Sequence, residues 1–163
     1  GILYGGFMLT GDGVKVIEYN ARFGDPEAMN VLSLLETDFM DICNAIVTGS
    51  LADLKIVFAN KATVCKYVVP VGYPNNPSKN FEVVCNTSLD GLYLAAVQER
   101  GGVITATGSR TAAFVGVDPN IVVAERLAEK GVTGIGGNLF HRKDIGTKDL
   151  IGRRKKHMKK VLG

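Results

Sequence analysis

The chain has 163 residues, 46% of them hydrophobic and 21% charged, with a formal net charge of +3 at pH 7. That is a soluble globular composition, with no apolar run near the roughly 20 residues that span a bilayer and no charged-then-apolar opening of a secretory leader. The three cysteines, Cys43, Cys65 and Cys85, form no CxxC pair, so neither a zinc site nor a disulfide framework is indicated and a reducing, cytoplasmic setting is expected.

In chain order, residues 2–9 and 14–20 are predicted to form a hairpin across the turn Thr10-Gly11-Asp12-Gly13. With unbroken alternation, Val14, Val16, Glu18 and Asn20 share one face and Lys15, Ile17 and Tyr19 the other. Asp25-Pro26 reads as a helix start, Asp as N-cap and Pro at the first helical position, with a helix to about Leu35. A second helix is expected from Thr37 or Asp38 to Gly49. Its stripe is Phe39, Ile42, Cys43, Ile46 and Val47, with Cys43 a buried small hydrophobe.

Residues 50–60 are a transition, and the domain boundary is placed at 55/56. Short β-like runs follow at 62–69, 81–85, 93–98, 103–107 and 111–115, separated by turn-rich links. Asp118-Pro119 repeats the cap device and opens a helix through Lys130, stopped by Gly131. From Arg142 onward there are nine Lys or Arg against two Asp. The run Arg153 to Lys160 is expected to be a solvated, frayed tail. A nucleic-acid contact is the competing reading, disfavoured because no aromatic side chains are interleaved for base stacking.

The chemistry concentrates in Glu18-Tyr19-Asn20-Ala21-Arg22-Phe23-Gly24-Asp25-Pro26-Glu27. Glu18 and Asn20 project together and offer only oxygen, which suits Mg2+ or Mn2+; an ordinary exposed strand end is the alternative. Arg22 suits a carboxylate or phosphate, and Gly24 a backbone turn closed to other residues. The helix start after Asp25 favours an anion, whereas Asp25 and Glu27 suit an ammonium group. A capped helix with a surface Arg–Asp pair fits the same residues.

That run resembles the E-[FY]-N-x-R-F-G-D-P-E signature of the glycinamide ribonucleotide synthetase family, within the ATP-grasp superfamily. Gly1 to Thr10 is similar to the family's preceding strand. Gly72-Tyr73-Pro74 and His141-Arg142-Lys143-Asp144-Ile145-Gly146 are similar to turns of its C-terminal domain.

The resemblance implies an α+β fold: the C-terminal part of an ATP-grasp domain (1–55), then a small antiparallel β-rich domain with one main helix and a basic tail (56–163). It implies ATP-dependent ligation of glycine to 5-phosphoribosylamine through a glycyl phosphate, a step of purine synthesis. Mg2+ or Mn2+ would be held by Glu18 and Asn20, with Arg22 catalytic. Gly24, Asp25, Glu27, Arg142 and Lys143 would bind substrate. Gly6 stands where related enzymes carry another acidic ligand.

The chain is expected to be the C-terminal piece of a longer protein. It would be inactive alone, because the lid and adenine pocket of an ATP-grasp site are not among these residues. Another ATP-grasp carboxylate–amine ligase, or a non-catalytic nucleic-acid-binding module, are the rival readings.

Overall fold

The computed structural model describes residues 1–163, in two compact units: 1–60 with 148–163, and 61–147. The first unit opens with β1 (Tyr4–Thr10) and β2 (Gly13–Asn20), an antiparallel hairpin. Helix α1 (Glu27–Leu32) and helix α2 (Phe39–Thr48) follow.

Asp38 caps α2 by accepting from the Met40 amide at 2.7 Å, and Gly49 ends it at φ 74°, where an L side chain is strained. The expected stripe on α2 is only half right. Ile42 and Ala45 are buried, Cys43 is half-buried rather than buried, and Val47 is 86% exposed. Helix α1 also departs from expectation. It has six residues, Pro26 rather than Asp25 stands at the cap, and no side chain caps it. The first turn is instead closed by the Ala28 amide on the Gly24 carbonyl at 2.8 Å.

The second unit contains β3 (Ala62–Pro70), β4 (Val84–Cys85), β5 (Leu92–Leu94), β6 (Val97–Arg100), β7 (Val103–Ala106) and β8 (Ala112–Asp118). Helix α3 (Ile121–Thr133), β9 (Ile135–Gly136) and β10 (Leu139–His141) complete it. All pairings are antiparallel: a four-stranded sheet in the order β10-β3-β8-β5, and the pairs β4-β9 and β6-β7.

Helix α3 packs on β3 and β8 through small residues. Ala124 and Ala128 are fully buried, and a Cβ on Gly116 would strike the backbone of α3. Gly131 does not stop this helix as expected. It lies inside it, packed so closely on the Phe114 ring that a Cβ would enter the ring. The cap is also shifted, with Asn120 accepting from the Val122 amide at 2.9 Å. One core cluster gathers Val68, Val83, Ala106, Ala112, Phe114, Val132 and Ile135; a second gathers Val64, Ala124 and Ala128 with Ile145 against them.

Residues 148–163 differ most from expectation. They form α4 (Lys148–Leu162) and group with the first unit, not with the second. Leu150, Ile151, Met158 and Val161 fall on one helical face and are partly buried. No helix is long and apolar enough to cross a membrane.

Candidate functional site

The hairpin decides which side chains meet. Its register runs Leu9 against Val14, Met8 against Lys15 and Phe7 against Val16, then shifts so that Gly6 faces Glu18 and Tyr4 faces Asn20. Ile17 has no partner and is the extra residue of a β-bulge. Cross-strand partners share a face, so Glu18 and Asn20 project together, as expected, on the side of Tyr4 and Gly6. Val14 and Val16 do not join them, contrary to the regular alternation. They lie on the opposite face with Phe7 and Tyr19, whose rings meet edge to face at 5.8 Å.

Tyr4 was not singled out in the sequence, yet it organises this face. Its hydroxyl donates to Glu27 Oε1 at 3.1 Å. That bond raises the Tyr4 pKa above its ordinary value, helped by burial and by the charges of Glu27 and Glu18, and opposed by Arg22. Glu18, Arg22 and Glu27 therefore all act electrostatically on one phenol. Gly24 is buried against Glu27 and Tyr4. A Cβ there would collide with the Glu27 carboxylate and come within 3.2 Å of the Tyr4 ring. The Arg22 guanidinium is exposed and donates to the Phe23 carbonyl at 2.8 Å. Asp25 is exposed at the following turn.

Glu18 is exposed at the strand's end, and Asn20 is half-buried. The Asn20 side-chain nitrogen is buried without a hydrogen-bond partner. Amide oxygen and nitrogen are interchangeable by a flip, so the same position can present an oxygen. An unsatisfied amide beside an unpaired carboxylate suits a hard cation that takes two protein oxygens and completes its shell with water and phosphate. Nowhere do three or more His, Cys, Asp or Glu side chains gather as a metal site.

Arg142 and Lys143 belong to the second unit, in the turn after β10. The Arg142 fork is occupied by Asp144, at 3.1 and 2.9 Å. Beneath the turn lies a cluster that the sequence reading missed. Lys66, in the middle of β3, is 0% exposed. Its ammonium donates to Glu125 at 2.6 Å, to Glu129 at 2.7 Å and to the Lys143 carbonyl at 2.9 Å. His141 Nε2 lies 3.1 Å from Glu129 Oε1. Burial pushes the Glu129 carboxyl up, but hydrogen bonds and charge from Lys66 and His141 outweigh it and hold it below its ordinary value. The available signal was a lysine inside the apolar run Ala62–Pro70, with Glu125 and Glu129 one helical turn apart.

Residues 63–148 match the family model of the phosphoribosylglycinamide synthetase C domain, and residues 1–28 match that of the ATP-grasp (A) domain of the same enzyme. The chain belongs to the phosphoribosylglycinamide synthetase family. The phosphoribosylamine–glycine ligase of Methanosarcina barkeri is 53% identical over 164 residues, covering 100% of this chain and 38% of that protein. The corresponding ligase of Methanococcus maripaludis strain C7 is 52% identical over 166 residues, covering 99% and 37%. A crystal structure of phosphoribosylamine–glycine ligase from Thermotoga maritima superposes with a TM-score of 0.68 at 26% identity, over 88% of this chain and 36% of that one. The chain thus spans under two-fifths of the length of these family members.

Proposed function

We propose that this sequence serves ATP-dependent ligation of glycine to 5-phosphoribosylamine, giving glycinamide ribonucleotide, ADP and phosphate, within a protein longer than these residues. The observation that carries this reading is the hairpin face. Glu18 and the unsatisfied amide of Asn20 share it, in a family member whose first 28 residues match an ATP-grasp domain.

Glu18 and Asn20 would hold Mg2+ or Mn2+. A divalent ion there neutralises phosphate charge during phosphoryl transfer. The glycine carboxylate attacks the γ-phosphorus, and ADP leaves. The amine of phosphoribosylamine then attacks the glycyl carbonyl, the C–O bond to phosphate breaks, and the amine gives up a proton as the amide forms. Arg22 would steady the acyl phosphate. Asp25 and Glu27 would grip an amine, with Tyr4 fixing the Glu27 carboxylate. Arg142 and Lys143 would meet the ribose 5-phosphate. A cytoplasmic setting belongs to the same reading.

The test is ADP release by the full-length enzyme. It should require both glycine and phosphoribosylamine, and Glu18→Gln should lower it by about 100-fold or more. Unchanged turnover in Glu18→Gln would overturn the reading. Release driven by formate or bicarbonate instead of glycine would favour another ATP-grasp ligase. The 163-residue chain alone is expected not to turn over.

A further inference from the structure

Helix α4 carries seven Lys or Arg in its 15 residues against one acid, Asp149, which lies in the first turn and complements the helix dipole. The helix is divided by face. At about 100° per residue, Lys148, Lys155, Lys156, Lys159 and Lys160 lie on the side away from Leu150, Ile151, Met158 and Val161. All five lysines are exposed, and the ion pairs of the chain are made by Lys66, His141 and Arg142 instead. The apolar side is turned to the hairpin, where Leu150 and Met158 line one groove with Met8 and Leu9.

Gly152 sits in the middle of the lysine face. Glycine inside a helix costs about 1 kcal/mol relative to alanine. Gly116 and Gly131 have neighbours that leave no room for a Cβ, but at Gly152 a Cβ would meet no atom within 4 Å. No contact within the chain therefore calls for a glycine there. Its bare backbone forms the floor of an open notch lined by Lys148, Arg153 and Lys156, with Asp149 beside them. A glycine that no internal neighbour requires, at the centre of a cationic face, suits close approach by something anionic from outside.

We propose that the outer face of α4 docks the sugar–phosphate backbone of a double-stranded nucleic acid, one strand passing over Gly152. From Lys148 to Lys160 the helix rises about 18 Å, so its five outer lysines place one positive charge per roughly 3.6 Å. One strand of a duplex carries one negative charge per about 3.4 Å of axis, so the two densities match. A single strand is a poorer partner, because α4 has no Phe, Tyr or Trp on which bases could stack. A lipid surface is a poorer one too, because an amphipathic helix enters it by its apolar face and that face is turned to the hairpin. Lysines meet phosphate as point charges, so binding is independent of base sequence.

The test is fluorescence anisotropy of a labelled random-sequence DNA duplex of about 20 base pairs, titrated with the full-length enzyme across a salt series. Binding should be seen at about 50 mM salt, and log K should fall with log salt at a slope near −4.5, the value for about five phosphate contacts. Lys155→Glu/Lys159→Glu should weaken binding by about tenfold or more and reduce the slope by about two. Gly152→Leu fills the notch with a better helix former, so it should raise the stability of α4 yet bind the duplex at least about threefold more weakly.

No binding of the duplex at about 50 mM salt overturns the proposal. So does a Lys155→Glu/Lys159→Glu variant that binds as the parent does, a Gly152→Leu variant that binds as the parent does, or tighter binding of the corresponding single strand. Capture by phosphatidylserine vesicles without any duplex binding assigns the face to a lipid surface and overturns it as well. The proposal stands apart from the ligase reading: Glu18→Gln should bind the duplex as the parent does, whether or not it turns over.

Discussion

Gly24 shows how one missing methyl sets the chemistry around it. Only hydrogen fits between the Glu27 carboxylate and the Tyr4 ring. Gly24→Ala should push Glu27 aside, break the Tyr4–Glu27 bond and cost about 1–3 kcal/mol, the usual penalty of overpacking. The urea midpoint of the chain measures the loss, and the Tyr4 ring signals should titrate closer to the ordinary phenol range. An unchanged midpoint with the hydrogen bond intact would show that the glycine is not needed for space. The importance of Gly24 was visible in the signature, but its reason was not. Sequence spacing suggested a special turn, whereas the structure shows a close approach by residues 20 positions upstream and three downstream.

At the scale of elements, β3, α3 and β10 are joined through Lys66, Glu125, Glu129 and His141. The Glu129 carboxyl is held below its ordinary pKa in the folded chain. Its contribution to stability is therefore present above the unfolded value, near pH 4.3, and fades as pH falls through the lower folded value. Glu129→Gln should remove that part of the acid dependence, seen as a flatter fall of the urea midpoint on acidification. An identical slope in both proteins would contradict the coupling. The antiparallel runs, the cap of α2 and the helix after Asp118 were legible because turn residues and periodicity are local signals. The bulge at Ile17, the passage of α3 through Gly131 and the partners of Lys66 were not. Each depends on atoms distant in sequence: a cross-strand partner, the Phe114 ring, and carboxylates about 60 residues away.

At the scale of the whole molecule, the expected boundary at 55/56 lies close to the division after Asn60, but the last 16 residues group with the first unit. Their charge count hid a one-sided apolar stripe, so a helix read as a frayed tail. The hairpin face opposite Glu18 leaves Phe7, Val14, Val16 and Tyr19 more than half exposed. A lone two-stranded hairpin is marginal in water. The curated relatives are more than twice this length, so catalysis is assigned above to a longer protein.

Ile17 sits in β2 opposite nobody. Excising it would close the ladder without turning any retained side chain over: Val16 would still oppose Phe7, Glu18 Gly6, and Asn20 Tyr4. Excising Tyr19 instead would make Glu18 and Asn20 adjacent, and adjacent strand residues point apart. Two shortened chains of equal length and nearly equal composition should then behave oppositely toward a paramagnetic ion. Mn2+ should broaden the Asn20 amide signals in the first and leave them sharp in the second.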